Sequence, residues 1–170
     1  NMPLGSGAFA GVTIPIDREY LASELGFSNI SSNSIDGVSS RDHILDILYS
    51  CSSIMINLSR ISEELIIWNS EEFDFVNIPD EFTTGSSIMP QKRNPDYLEL
   101  IRGKTGHSLG QLVNLATSLK GLTFTYNRDL QEDRKGAMDS IEIVTQSLEV
   151  IKNLFSKISF NEEKMIDSAN

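Results

Sequence analysis

The stretch SRDHILDILYSCSSIMINLSRISEELIIW, residues 40–68, decides how this chain is built. Its apolar residues Ile47, Cys51, Ile54, Leu58, Ile61, Leu65 and Trp68 recur at alternating steps of four and three. That period puts them on one stripe of a helix, whereas a strand would alternate every second residue. At a rise of about 1.5 Å per residue such a helix is longer than ~30 Å, too long for one small partner to cover.

Working outward, a second long helix is expected from Pro95 to about Lys120, with Gly121 ending it. Leu98, Ile101, Thr105, Ser108, Leu112, Leu115 and Leu119 keep the same spacing along it. Gly103, Gly106 and Gly110 each cost about 1 kcal/mol of helix propensity relative to alanine, so their clustering predicts that another helix comes close there. A third helix is expected from about Leu130 to Ser156, turning Met138, Ile141, Val144, Leu148, Ile151 and Phe155 one way. Asp17 caps a short helix through about Leu25, with Gly26 as its stop. Residues 1–16 read as a loop and 27–39 as a Ser- and Asn-rich connection.

No alternating strand pattern of convincing length occurs, so the fold class expected is all-α, a long-helix bundle. Three seams running the length of the helices ask for more cover than one chain supplies, which predicts completion by oligomerisation. The alternative is a monomeric three-helix bundle, against which the apolar Leu65-Ile66-Ile67 run and Trp68 speak. Residues 1–157 are expected to form the bundle, and 158–170, with a fresh helix at Asn161-Glu-Glu-Lys-Met-Ile-Asp, the start of a further helical domain. Both ends read as cut.

With 170 residues and 39% hydrophobic content the chain can fill one ordinary core. Its 24 Asp and Glu against 14 Lys and Arg, a net charge of -10, argue against nonspecific binding to nucleic acid phosphates. The single Cys51 permits no internal disulfide and falls on a helical seam, so it reads as a small buried apolar residue in a reducing compartment. A catalytic thiol would need a histidine beside it in a recognisable pattern, and none is present. No run of about eighteen uncharged apolar residues suggests a membrane span. The opening Asn-Met-Pro-Leu-Gly-Ser-Gly-Ala lacks the basic flank and apolar core of a signal peptide, so a soluble, cytoplasmic protein is expected.

The chemistry points to Thr84-Gly-Ser-Ser-Ile-Met-Pro-Gln-Lys-Arg-Asn-Pro-Asp-Tyr-Leu-Glu99. Gly85, Ser86 and Ser87 make a mobile turn, Pro90 interrupts regular structure, and Asn94-Pro95 is a helix start with Asn94 as N-cap. Such a helix end, with Lys92 and Arg93 beside it, offers backbone N–H groups and positive charge to a carboxylate or phosphate. Taken alone, Gly-Ser-Ser before a proline reads more readily as an ordinary surface connection.

The full string Gly85-Ser86-Ser87-x-Met89-Pro90-x-Lys92-x-Asn94-Pro95 resembles the signature of the fumarase and aspartase superfamily. Within it, Pro90 to Asp96 followed by Leu98-Glu99-Leu100-Ile101-Arg102 is similar to the argininosuccinate lyase family. Residues 3–11 and the Asp-Arg-Glu run at Asp17 to Glu19 resemble the same family, as does Tyr126-Asn127-Arg128-Asp129-Leu130-Gln131-Glu132-Asp133. The resemblance is strong over residues 3 to about 135 and weak over the third helix.

The resemblance implies the superfamily's central helical domain and a β-elimination of argininosuccinate to arginine and fumarate, with no metal or organic cofactor. It also implies a homotetramer with shared active sites, and neither a nucleic acid nor a membrane as partner. Ser86 stands where the family has its catalytic base, with Ser87 the neighbouring alternative. Lys92 and Asn94 match groups that stabilise the dianionic intermediate, and Glu99 matches the acid that orients a histidine. That histidine belongs to a Thr-His motif upstream of the residues in hand, and His43 and His107 do not fit its context. Arg41 matches a carboxylate-binding arginine, since a guanidinium grips a planar carboxylate with two parallel bonds. Tyr126 and Gln131 match substrate contacts, and Arg134 stands where the family usually has lysine. Two alternatives are a different fumarate-releasing lyase, of the kind acting on adenylosuccinate, and a noncatalytic relative like the lens crystallins.

Overall fold

A computed structural model describes residues 1–89 and 91–169; Pro90, expected to interrupt regular structure, lies outside the described residues. The order of elements is α1 (Arg18–Glu24), α2 (Ser34–Ser39), α3 (Asp42–Trp68), β1 (Val76–Asn77), a 3-10 turn (Asp80–Phe82), α4 (Asp96–Leu119), a second 3-10 turn (Arg128–Glu132), α5 (Asp133–Phe155), β2 (Ser159–Phe160) and α6 (Glu162–Ala169). The expected all-α bundle is what forms.

Local chemistry accounts for the short elements. The Asp17 carboxylate accepts from the Tyr20 N–H at 2.9 Å, and Gly26 takes φ +73° just past the C-cap of α1. Helix α2 lies in the segment expected to be a plain connection. The Asn33 side chain accepts from the N–H groups of Ile35 and Asp36, so a residue read as loop-forming caps a helix. Between α3 and α4 the chain is likewise not featureless, because β1 pairs antiparallel with β2, Val76 opposite Phe160. Strands of two residues are too short for alternation to reveal.

Helices α3 and α4 run antiparallel. Ser52 Oγ donates to the Leu48 carbonyl at 2.8 Å and reaches the Ser108 carbonyl at 3.3 Å, and Thr105 Oγ1 donates to the Met55 carbonyl at 3.1 Å. Hydroxyls that reach a neighbouring backbone require the two helices to sit close. Helix α5 returns alongside, and its Gly136 is so near α4 that a Cβ there would come 2.6 Å from Gln111 Oε1. The core gathers Cys51, Met55, Leu58 and Leu65 of α3, Leu98 and Ile101 of α4, and Ile143, Val144, Ile151 and Leu154 of α5, closed by Val76 and Ile78.

The helix spans match expectation within a few residues, and α4 buries its expected face through Leu98, Ile101, Ser108 and Leu115, but the buried faces of α3 and α5 are shifted. On α3 the inner stripe holds Leu48, Cys51, Ser52, Met55, Leu58, Ser62 and Leu65, while Ile47, Ile54 and Ile61 lie outward. On α5 it holds Gly136, Ser140, Ile143, Val144, Ser147, Ile151 and Leu154, leaving Met138, Ile141, Leu148 and Phe155 exposed. Both helices are apolar around more than half their circumference, so periodicity alone does not choose the face, and the small serines mark where neighbours come nearest. Within this chain nothing lies within 4 Å of a Cβ placed on Gly103, Gly106 or Gly110, against the expected close approach. Helix α4 begins one residue later than expected, with Pro95 at the N-cap position and no side-chain cap, so Asn94 is not the cap.

By length and mean hydropathy of 1.2, α3 is long and apolar enough to cross a membrane, against the expectation of no such segment. The core helix of a bundle passes the same test, and the inner stripe of α3 is covered by α4 and α5.

Met55, with no exposed surface at the meeting of the three long helices, carries the first prediction. Met55→Ala is expected to lower unfolding free energy in a urea titration by about 2–5 kcal/mol, and Met55→Leu by less than about 1.5 kcal/mol. Burial also pushes the Cys51 thiol pKa up. It is therefore expected to stay protonated at neutral pH and to react with iodoacetamide only as the chain unfolds, which mass spectrometry across a denaturant series would read.

Candidate functional site

The candidate residues fall into two groups at opposite ends of α4. At its N-terminal end, Thr84 and Asn94 pair through both backbone N–H groups, at 3.0 and 2.9 Å, pinching off the loop between them. Inside the loop the Ser86 hydroxyl oxygen accepts from the Ile88 N–H at 3.2 Å and the Met89 N–H at 3.3 Å. Two main-chain donors thus converge on one hydroxyl oxygen. Ser87, the alternative, is exposed and its hydroxyl has no partner among the described residues. The Lys92 side chain is exposed, and its backbone N–H donates to the Met89 carbonyl at 3.0 Å, which tightens the turn. Arg93 Nε pairs with Asp80 at 3.0 Å.

Glu99 lies on the outer face of α4. It lines a shallow groove of about 440 Å³ with Leu100, Gly103, Lys104, His107 and Ile143. Ser86, Lys92 and Asn94 do not border that groove, so the loop and Glu99 share an end of the helix without forming one pocket. One turn away Arg102 pairs with Glu63, whose hydrogen bond holds the guanidinium pKa above its ordinary value.

At the other end of α4, Arg41, Tyr126, Leu130, Gln131, Asp133 and Arg134 line a cavity of about 520 Å³. Four of the five expected substrate-binding residues, Arg41, Tyr126, Gln131 and Arg134, therefore meet in one place, while Asn94 lies with the serine loop at the other end of α4. Gln131 Nε2 donates to the Tyr126 hydroxyl at 3.0 Å, fixing both side chains. Arg41 Nε donates to Asp133 Oδ2 at 2.5 Å, and its Nη1 donates to the carbonyls of Val38 and Ser40 at 3.1 Å. Much of the Arg41 fork is thus committed to the protein, and Arg134 is the exposed cation of the cavity. Thr125, just before Tyr126, is a β-branched residue at φ +74°. Such backbone costs on the order of 1–3 kcal/mol and marks a turn held by its surroundings.

Asp133 was not among the residues expected from the sequence. In an acidic run at a helix start it reads as a first-turn charge, and only the fold brings Arg41, 92 positions away, against it. The two groups of residues are separated by α4 itself, whose 24 residues span about 36 Å at 1.5 Å each. Among the described residues no cluster of three or more His, Cys, Asp or Glu side chains is placed to hold a metal ion.

A family model described as lyase matches residues 1–110. The chain is 56% identical over 163 residues to an argininosuccinate lyase of Sulfurihydrogenibium, covering 96% of this chain and 36% of the relative. It is 53% identical over 166 residues to an argininosuccinate lyase of Clostridium novyi, covering 98% of this chain and 38% of the relative. The chain therefore spans little more than a third of the length of these curated relatives. Among solved structures, an EDDS lyase in complex with formate superposes with a TM-score of 0.79 at 29% identity, over 96% of this chain and 32% of that one. A fumarate lyase and delta crystallin relative from Brucella melitensis has a TM-score of 0.78 at 18% identity, over 95% of this chain and 37% of that one, and shares the fold.

The Arg41–Asp133 pair is largely buried, its side chains 18% and 12% exposed. Asp133→Ala is expected to lower stability by about 1.5–3 kcal/mol in a denaturant titration, because a charged hydrogen-bonding group is left without its partner. Asp129→Ala, at an exposed position of the same turn, is expected to stay within about 0.5 kcal/mol of the parent.

Proposed function

Because the chain belongs to the lyase family whose model matches residues 1–110, we propose that its protein is an argininosuccinate lyase, a carbon–nitrogen lyase of arginine biosynthesis. The observation that carries this reading is the Ser86 oxygen held by two main-chain N–H groups inside a loop that keeps Lys92 and Asn94. The identity of 50–56% to curated argininosuccinate lyases supports the choice of substrate.

In the proposed reaction Ser86, as alkoxide, takes the proton from the carbon beside a substrate carboxylate. The electron pair left behind spreads into that carboxylate as a dianion, which Lys92, Asn94 and the positive end of the α4 dipole stabilise. The carbon–nitrogen bond on the adjacent carbon then breaks, and its electrons leave with the guanidine nitrogen. That nitrogen takes a proton and departs as arginine, and the remaining four carbons are fumarate. An alkoxide in open water is too unstable to act this way. Solvent exclusion by loop closure, together with the donors from Ile88 and Met89, makes the role feasible.

Arg134, with Tyr126 and Gln131, fits the amino-acid end of the substrate, and Arg41 is carried as a second carboxylate contact braced by Asp133. Glu99 is assigned to orient a histidine supplied by another part of the protein. No substrate of amino-acid size bridges the length of α4, so a site that uses both groups of residues draws them from different copies of the chain. A homotetramer in the cytoplasm is the assembly this reading takes.

Ser86→Ala, made in the protein at its natural length, is expected to lower fumarate release from argininosuccinate, followed by absorbance, by at least about 10²-fold. A wild-type rate would sink the assignment. A substrate panel including adenylosuccinate separates this reading from a related lyase, and no fumarate from any substrate would favour a crystallin-like structural role.

A further inference from the structure

The geometry points to Thr84 as the positioning residue of the serine loop, acting through a hydrogen bond from its hydroxyl to Asp96 in the first turn of α4. This rests on the reading of Ser86 as the base. Thr84 is the last residue before the loop, and its two backbone bonds to Asn94 close the loop at a neck. An isolated bridge of one residue pair resists twisting poorly, because both bonds act about one line. The bond from Thr84 Oγ1 to Asp96 adds a third point off that line. The Asp96 N–H also donates to the Asn94 carbonyl at 2.8 Å, so both limbs of the neck are tied to the helix through one residue.

The surroundings of the neck are fixed independently. Phe82 stacks edge-on against Tyr97 at 6.0 Å between centroids, and Lys157 pairs with Glu81 at 2.7 Å and lies 5.8 Å above the Phe82 ring. The incoming limb is therefore braced against both α4 and the end of α5. Ser86 stands two residues beyond the neck. A rotation there moves its oxygen directly, and misplacing a reacting group by about 1 Å costs about 100-fold in rate. Thr84 thus fixes the point from which the chain carrying Ser86 departs and delivers Ser86 to one place on closure.

The test compares Thr84→Val, which keeps shape and removes the hydroxyl, with Thr84→Ser, which keeps the hydroxyl, in the protein at its natural length. Amide exchange of residues 85–89 and 91–94 is expected to rise about tenfold in Thr84→Val with α3 unchanged. On argininosuccinate, kcat is expected to fall about 10–100-fold with KM nearly constant. Thr84→Ser restores both, and Asp96→Asn added to Thr84→Val raises loop exchange no further. Unchanged loop exchange in Thr84→Val, a loosened loop with unchanged kcat, or a Thr84→Ser variant as impaired as Thr84→Val would each overturn the proposal. Exchange needs no substrate, so a protein inactive in every form whose loop still loosens in Thr84→Val rejects the lyase reading and keeps the neck.

Discussion

The close antiparallel contact of α3 with α4 is the constraint from which the remaining geometry follows. It depends on small polar side chains, because Ser52 and Thr105 reach across to the carbonyls of Ser108 and Met55. A leucine at Ser52 or Ser108 would push the helices apart and leave those carbonyls without their second donors. With the register of α3 on α4 fixed in this way, the connection before α4 and the one after it must lie at opposite ends of the bundle. The serine loop and the Arg41 cavity are separated for that reason, before any detail of their side chains is considered.

The same contact uses only part of each helix. Ile47, Ile54 and Ile61 on α3, Leu100 and Val113 on α4, and Met138, Ile141, Leu148 and Phe155 on α5 remain outward. The side of α4 carrying Gly103, Gly106 and Gly110 is smooth and empty within the chain. The clustering of those glycines was legible in the sequence as a place of close approach, yet the approach within the chain occurs at Gly136 instead. On the proposed reading, an apolar outer face and a divided set of candidate groups would both be met by further copies of the bundle.

Helix spans were legible because a period of 3.6 residues persists over more than twenty positions in α3, α4 and α5. The buried face of α4 was legible too, since Leu98, Ile101, Ser108 and Leu115 fall on the expected seam, whereas those of α3 and α5 were not, because apolar residues on both sides satisfy the same periodicity. Helix α2 was hidden because Asn33 and Ser34 belong to loops and to helix starts alike. Among the candidate site residues, Ser86, Lys92, Asn94 and Glu99 were picked out by resemblance over one contiguous motif, and Arg41, Tyr126, Gln131 and Arg134 by resemblance over separate stretches. Asp133 carried no local signal, because its partner is distant in the chain and close only in the fold.

The left-handed backbone at Thr125 ties the orientation of Tyr126 to the rest of the bundle end. Glycine there would relieve the crowding of the β-branched side chain but would give the unfolded chain more freedom to lose, and the two effects offset. Net stability is therefore a poor guide to what threonine does at this position. Its contribution is directional: a chain already bent the unfavourable way has few other paths to follow, so the phenol of Tyr126 arrives beside Gln131 from one side only. The Arg41 cavity is in that sense built by a turn that holds its shape against local preference, and its geometry should be inherited with the bundle rather than formed anew around an occupant.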